Sequence, residues 1–243
     1  MQAVGVRQER CPWTGYTHCM QTHLFFNRYR IVFITLVLAS ALCASMWVVR
    51  FAITGETYRF FLNWNLFLAW VPLGFALLAR HARNQVGFAL FGLAWLLFFP
   101  NAPYLITDLV HLRAFEPTIK YWYDLMMFMT FIWTGFLLGF VSLYVMQRRV
   151  AEMAGHVVSW GFALISLALG AFGVYLGRFQ RYNSWDVLTQ PWDLFYDIYQ
   201  RVRHPFDHMR TYGISLLLAV FLIGMYVTMY AIAHLPREQT QPT

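Results

Sequence analysis

VGFALFGLAWLLFFPNAPYLITDLVHL, Val86 to Leu112, opens with 14 residues that carry no charge, Val86 to Phe99, and is then interrupted by Pro100-Asn101-Ala102-Pro103. A helix needs about 20 mainly apolar residues to cross the hydrocarbon core of a bilayer. Fourteen suffice only with tilt, with local thinning, or by continuing past the interruption. The stretch therefore reads as a broken span. Two prolines three residues apart stop the incoming helix, and Pro103 suits the first turn of a new one. On a helix starting at Pro103, Tyr104, Asp108 and His111 form one stripe and Leu105, Leu109 and Leu112 another. That pattern predicts a short amphipathic helix, re-entrant or lying at the interface. Its start near Asn101 would offer free amides to an anion. Irregular backbone at membrane depth is tolerated where it lines a cavity inside the protein.

Five further stretches are long enough to cross: Ile31 to Val49, Phe60 to Ala79, Trp122 to Met146, Val157 to Leu176 and Ile214 to Leu235. The composition agrees, since 59% of the 243 residues are hydrophobic, 19% aromatic and only 12% charged. About a quarter of an ordinary soluble domain is charged. These figures exclude a soluble domain, a disordered chain, a disulfide scaffold and a nucleic-acid module. The net charge of +7 lies scattered between apolar runs rather than on a basic stripe, so the expected partners are membrane lipids and not nucleic acid. Lys120 is the single lysine, and arginine's fork suits lipid phosphates, although coding bias is the simpler account of the preference. The fold class is all-α: a polytopic bundle of about six transmembrane helices in one domain, 31–235, between a polar tail, 1–30, and a short C-terminal tail, 236–243.

The first span exceeds a signal-peptide core and is followed by others, so it reads as retained. The tail before it reads as unstructured, and Met20 offers a second possible start. Its Cys11, His18, Cys19 and His23 match no familiar zinc spacing. The cation counts of the loops on the two sides are equal. The lower cation density of the longer loops leans towards cytoplasmic termini in a bacterial inner membrane. Gly135 and Gly139, and again Gly173 and Gly177, sit four apart, which predicts that the fourth and fifth spans pack closely on each other. Pro72 is expected to kink the second span.

With six crossings, the loops after spans one, three and five share a membrane face. On that face fall Asn63, Asn65, Asn101, Tyr104, Asp108, His111, Asp124, Arg178, Arg181, Asn183 and Asp186. Polar groups near hydrocarbon face a cavity or pair with one another. Asp108 and His111 are the candidates for chemistry. Asn63, Asn101, Tyr104, Asp124, Arg178, Arg181, Asn183 and Asp186 are the candidates for ligand binding. Plain roles compete with these: Asp124 and Arg178 suit helix ends, Asn101 suits a cap, and Asp108 or Asp124 would pair with Arg178. No complete metal-ligand set is visible, and no cofactor is implied. In the loop from Gly177 to Gly213, Trp185, Leu188, Trp192, Phe195, Tyr199 and Val202 make an apolar stripe, with Asp193, Asp197 and Arg201 on the other faces. This predicts an interfacial amphipathic helix, bent or started by Pro191.

The segments NWNLFLAWVPL (Asn63 to Leu73), WLLFFPNAPYLITDLVHL (Trp95 to Leu112), WYD (Trp122 to Asp124) and GVYLGRFQRYNSWDVL (Gly173 to Leu188) resemble a family of bacterial membrane proteins, domain of unknown function 1361. The resemblance runs from about Phe51 to Leu235. It implies a multi-pass membrane protein and supplies neither an activity nor a catalytic residue. The leading functional reading is an accessory protein whose polar face binds an anionic lipid headgroup or a membrane-protein partner. The alternatives are a membrane enzyme acting on a lipid-linked or phosphate-bearing substrate, with Asp108 or His111 as base, and a small-solute transporter using the broken span.

Overall fold

The computed structural model describes residues 16–55, 57, 59–112 and 119–235, with side chains from Arg30 onward except those of Ile119 and Lys120. The tail side chains of Cys11, His18, Cys19 and His23, the residues 113–118 and the segment 236–243 lie outside that description. Among the described residues the structure is helical, without strands. Its nine α-helices are α1 (Tyr16–Thr54), α2 (Phe60–His81), α3 (Gln85–Phe98), α4 (Asn101–Tyr104), α5 (Ile119–Ala154), α6 (His156–Phe179), α7 (Asp186–Thr189), α8 (Pro191–Arg203) and α9 (Met209–Ala233). Two 3-10 segments, Leu105–His111 and Pro205–His208, follow α4 and α8.

Six helical stretches are long and apolar enough to cross a membrane: Arg30–Thr54, Phe60–His81, Gln85–His111, Tyr121–Ala154, His156–Phe179 and Pro205–Ala233. They reproduce the six expected spans. Their ends reach past the apolar runs because terminal Arg, His and Tyr side chains can stretch back towards water. The tail departs from expectation, since α1 begins at Tyr16 and the second half of the polar segment is helical. α2 runs through Pro72 without interruption.

The most enclosed span is that of α5, 61% buried, against 11% for the first span and 17% for the last. Helices α1, α2 and α6 pack on α5, α3 packs outside α2, and α9 packs outside α6. Lipid tails are as apolar as leucine, so helices in a bilayer associate through close packing rather than expulsion of water. The exposed leucines and phenylalanines of α1 and α9 accordingly sit where lipid is the solvent. Hydrogen bonds tie the bundle at depth: Trp95 Nε1 donates to Ser142 Oγ at 3.1 Å, and Tyr226 donates to Gln147 Oε1 at 2.5 Å. Where a polar side chain would otherwise face hydrocarbon, such a bond removes the cost of an unsatisfied group.

The interruption of the third span differs from the sequence expectation in two ways. The backbone at Phe99, Pro100 and Leu105 stays in the right-handed helical region, so the chain bends and tightens rather than stopping. The amides of Ala102 and Tyr104 bond the carbonyls of Phe99 and Pro100, so they are not presented to an anion. The segment is wedged between α5 and α6, and the glycine pairs serve this wedge. A methyl at Gly135 would meet Ala102 O at 2.8 Å, and one at Gly139 would meet Ala102 Cβ at 2.9 Å. From the other side, Gly170 accommodates the Phe99 ring and Gly173 the Pro100 ring. The fourth and fifth spans are neighbours as expected, but their glycines make room for the bend rather than for each other.

Candidate functional site

Because consecutive spans alternate in direction, the C-terminal ends of α1, of the third span at His111 and of α6 meet the N-terminal ends of α2, α5 and α9 at one rim. The bond pattern bears this out. Asp124 at the start of α5 accepts from Arg50 Nε at 2.6 Å and Arg50 Nη2 at 3.2 Å, and lies 3.0 Å from Arg59 Nη2. This forked pairing is the geometry that makes Arg–carboxylate pairs strong. The expected alternative of Asp124 with Arg178 is not formed. Asp124 belongs to a separate network, held to the α1 end, and Tyr123 beside it donates to Met46 O at 2.8 Å.

Asp108 is 1% exposed and lies in the 3-10 segment after α4. Its Oδ2 accepts from Asn65 Nδ2 at 2.7 Å, and its Oδ1 lies 3.8 Å from Arg178 Nη1 at the end of α6. A 3-10 helix repeats every three residues, so Asp108 and His111 share a face. That register explains why both meet the same arginine: Arg178 Nη2 lies 3.1 Å from His111 Nε2. The guanidinium can only donate, so Nε2 is the acceptor in this contact. The His111 ring also leans on Phe61, 5.1 Å away between centroids. Among the described residues no three His, Cys, Asp or Glu side chains converge as a metal site would require.

Beside this network lies a cleft of about 180 Å³. Its walls come from α2 (Trp64, Asn65, Leu68), the bend (Leu97, Pro100, Asn101, Tyr104), α6 (Gly173, Leu176, Gly177) and the following segment (Tyr182, Asn183, Ser184, Val187, Leu194). Asn101 Nδ2 donates to Phe98 O and to Ser184 Oγ, both at 3.0 Å, and Ser184 Oγ donates to Leu97 O at 3.1 Å. These bonds staple the loop after α6 onto the bend. Asn183 enters through its backbone, its N–H donating to Asp186 Oδ2 at 2.6 Å. Asp186 is thereby a loop-closing residue, since its other oxygen accepts from Thr189 at 3.1 Å. Burial, with Asp197, Asp193 and Asp186 nearby, raises the Tyr182 phenol above its ordinary range despite Arg201, so it persists as a donor.

The cleft lining includes Asn101, Tyr104 and Asn183 of the expected binding residues. Arg178 and Asp108 stand behind Asn65. Arg181, exposed and with φ of 63°, lies between the lining residues Gly177 and Tyr182 in sequence. Asn63 lies outside the lining, and its Nδ2 is buried without a hydrogen-bond partner.

A family model described as protein of unknown function (DUF1361) matches residues 64–229. The match takes in every wall of the cleft and the whole Asp108–Arg178–His111 network. The chain belongs to the DUF1361 family. No curated protein and no solved structure matches it. In this DUF1361 protein, sequence reasoning missed Arg50 in the Asp124 network and Ser184 and Tyr182 in the cleft wall. Arg50 lies one residue beyond the apolar run, and a pairing across 74 positions leaves no local signal.

The amphipathic segment after α6 also belongs to the site, because Val187 of α7 and Leu194 of α8 close one wall of the cleft. α8 starts at Pro191, as its ring prefers. Trp192 is 84% exposed, and Phe195, Tyr199 and Val202 are exposed with it. Of the charged side, Asp193 stays exposed while Arg201 turns inward: it is buried, forked onto Asp197 at 3.1 and 3.0 Å, and donates to Thr211 of α9 at 2.9 Å. Its guanidinium also stands 5.8 Å from the Tyr175 ring centre.

Proposed function

We propose that the protein is a lipid-headgroup-binding membrane protein whose site is the cleft between α2, the bend of the third span, α6 and α8. The observation that carries this reading is the wall shared with α8. The same helix lines a polar cleft with Leu194 and turns Trp192, Phe195 and Tyr199 outward, an arrangement suited to the headgroup layer. Arg181 supplies a nearby cation for a phosphate, and Arg178 stands behind Asn65. The bacterial inner membrane, with termini on the cytoplasmic side and the cleft on the outer face, is the setting we infer.

The test is retention of lipid by the purified full-length chain, read by native mass spectrometry after exchange into mixed nanodiscs. Phosphatidylglycerol should be retained over phosphatidylcholine of the same chains. Arg181→Gln should lower that preference by roughly three- to tenfold, the size of one charge-assisted contact, without shifting the melting midpoint. Equal retention of both lipids by the natural chain would overturn an anionic-headgroup site. A second reading, an enzyme acting on a lipid phosphate, draws on the convergence of Asp108 and His111 upon Arg178. It expects turnover that Asp108→Asn and His111→Ala abolish at unchanged membrane abundance.

A further inference from the structure

Fifteen residues line the cleft, and none of them is Asp, Glu, Lys, Arg or His. What replaces charge is a set of neutral polar groups: the amides of Asn65 and Asn183 and the phenols of Tyr104 and Tyr182, which can donate or accept, and Asn101 Oδ1 and Ser184 Oγ, which only accept because their donors are engaged within the protein. Beside them stand the aromatic Trp64 and the apolar Leu68, Pro100 and Leu176. We infer that the group lodged in this cleft is a neutral polyol or sugar ring, and that any phosphate attached to it stays at the rim by Arg181. This rests on the headgroup-binding reading and adds the chemistry of the headgroup.

Three arguments select that class. A phosphate inside an uncharged cleft would lose water without gaining a cation, a cost that neutral donors only partly offset. An acyl chain would strip water from amides and hydroxyls and return no hydrogen bonds. A ring or short chain bearing hydroxyls meets both requirements, because each hydroxyl donates and accepts while its C–H faces lie on aromatic surface. The polar groups are also oriented in advance. The two donor bonds of Asn101 fix its plane and leave its Oδ1 as an acceptor, and Ser184 is held between Asn101 and Leu97 O. Groups held in place before binding reduce the ordering cost when the ligand arrives.

The experiment offers the full-length protein in nanodiscs a set of lipids with identical acyl chains. These are phosphatidylglycerol and phosphatidylinositol (polyol with phosphate), phosphatidate (phosphate alone), phosphatidylcholine, and a glucosyl diacylglycerol (sugar alone). The expected result is retention of phosphatidylglycerol and phosphatidylinositol roughly three- to tenfold above phosphatidate, with glucosyl diacylglycerol above phosphatidylcholine. Tyr104→Phe and Asn183→Leu remove single cleft groups without touching a backbone bond. Each should bring the polyol lipids down towards phosphatidate and leave phosphatidate unchanged.

Phosphatidate held as well as phosphatidylglycerol, with glucosyl diacylglycerol no better than phosphatidylcholine, overturns the polyol inference while leaving an anionic-headgroup site standing. Glucosyl diacylglycerol held with no preference among phosphate lipids supports the polyol site and removes the anionic reading. Preference for phosphatidylcholine overturns both. Free glucose, inositol and glycerol form a separate arm. If one of them displaces lipid and raises the melting midpoint without lipid present, the polyhydroxylated ligand is a soluble solute, and the cleft chemistry stands.

Discussion

A methyl group at Gly173 would sit 2.5 Å from Pro100 Cγ, and one at Gly135 would sit 2.8 Å from the carbonyl oxygen of Ala102. Neither obstacle is the free end of a flexible side chain. Gly173→Ala and Gly135→Ala are therefore each expected to cost about 1–3 kcal/mol, the usual penalty of overpacking. Gly161→Ala and Gly224→Ala, where nothing lies within 4 Å, should be neutral or slightly stabilising. Melting midpoints of the four variants in one detergent separate these outcomes, and equal midpoints would mean that the bend is not wedged. Asp108 allows a second single-residue test. Its carboxylate is buried while Arg178 keeps 20% side-chain exposure at 3.8 Å, so the pair is only partly shielded from water. Asp108→Asn should cost about 1–2 kcal/mol, less than the roughly 3–5 of a fully buried broken pair. The double variant with Arg178→Gln should cost less than the two singles together, and strict additivity would show that this contact contributes nothing.

At the scale of elements, α8 is the case where periodicity was legible and orientation was not. The spacing of Trp192, Phe195, Tyr199 and Val202 marks an amphipathic helix in any context. Only the partners of Arg201 show that the C-terminal half of the charged side is held against the protein, because Thr211 and Tyr175 come from two other helices. The bend shows the same division. Two prolines announce an interruption, but its continuation as helix and 3-10 turn depends on Gly135, Gly139, Gly170 and Gly173, which lie far away in sequence. Asp108 and His111 were likewise readable as a polar pair, whereas Ser184 and Tyr182 became site residues only through the fold. The orientation of α8 has a direct measurement. An environment-sensitive dye on Trp192→Cys should report an apolar medium quenched by lipids brominated near the glycerol level. Asp193→Cys, also exposed, should report water under the same conditions. Matching emission at both positions would mean that α8 stands clear of the bilayer.

For the whole molecule, the decisive consequence of six crossings is that polar networks at the two ends of the bundle never mix. At one rim stand Arg50 and Arg59 with Asp124, Arg178 with Asp108, and Arg201 with Asp197. At the other stands Glu152, with Arg80 at 3.3 Å and Arg149 at 3.5 Å. The pairs of Arg50 and Arg59 with Asp124, and of Arg80 with Glu152, join helix ends that can be neighbours only if the bend segment completes the third crossing rather than turning back. If the chain turned back at Pro100, Arg178 and Asp108 would face one compartment, and every helix after the bend would reverse its direction. Asp124 could then not reach Arg50. Labelling with a membrane-impermeant maleimide tests this directly, in a chain carrying Cys11→Ser and Cys19→Ser and retaining the buried Cys43. Arg181→Cys and Asp207→Cys should react from one side of the membrane, and Arg83→Cys and Met153→Cys from the other. All four are exposed positions, so silence at any of them would reflect topology rather than burial. Reaction of Arg181→Cys and Arg83→Cys from the same side would remove the third crossing, and with it the shared rim on which the cleft is built.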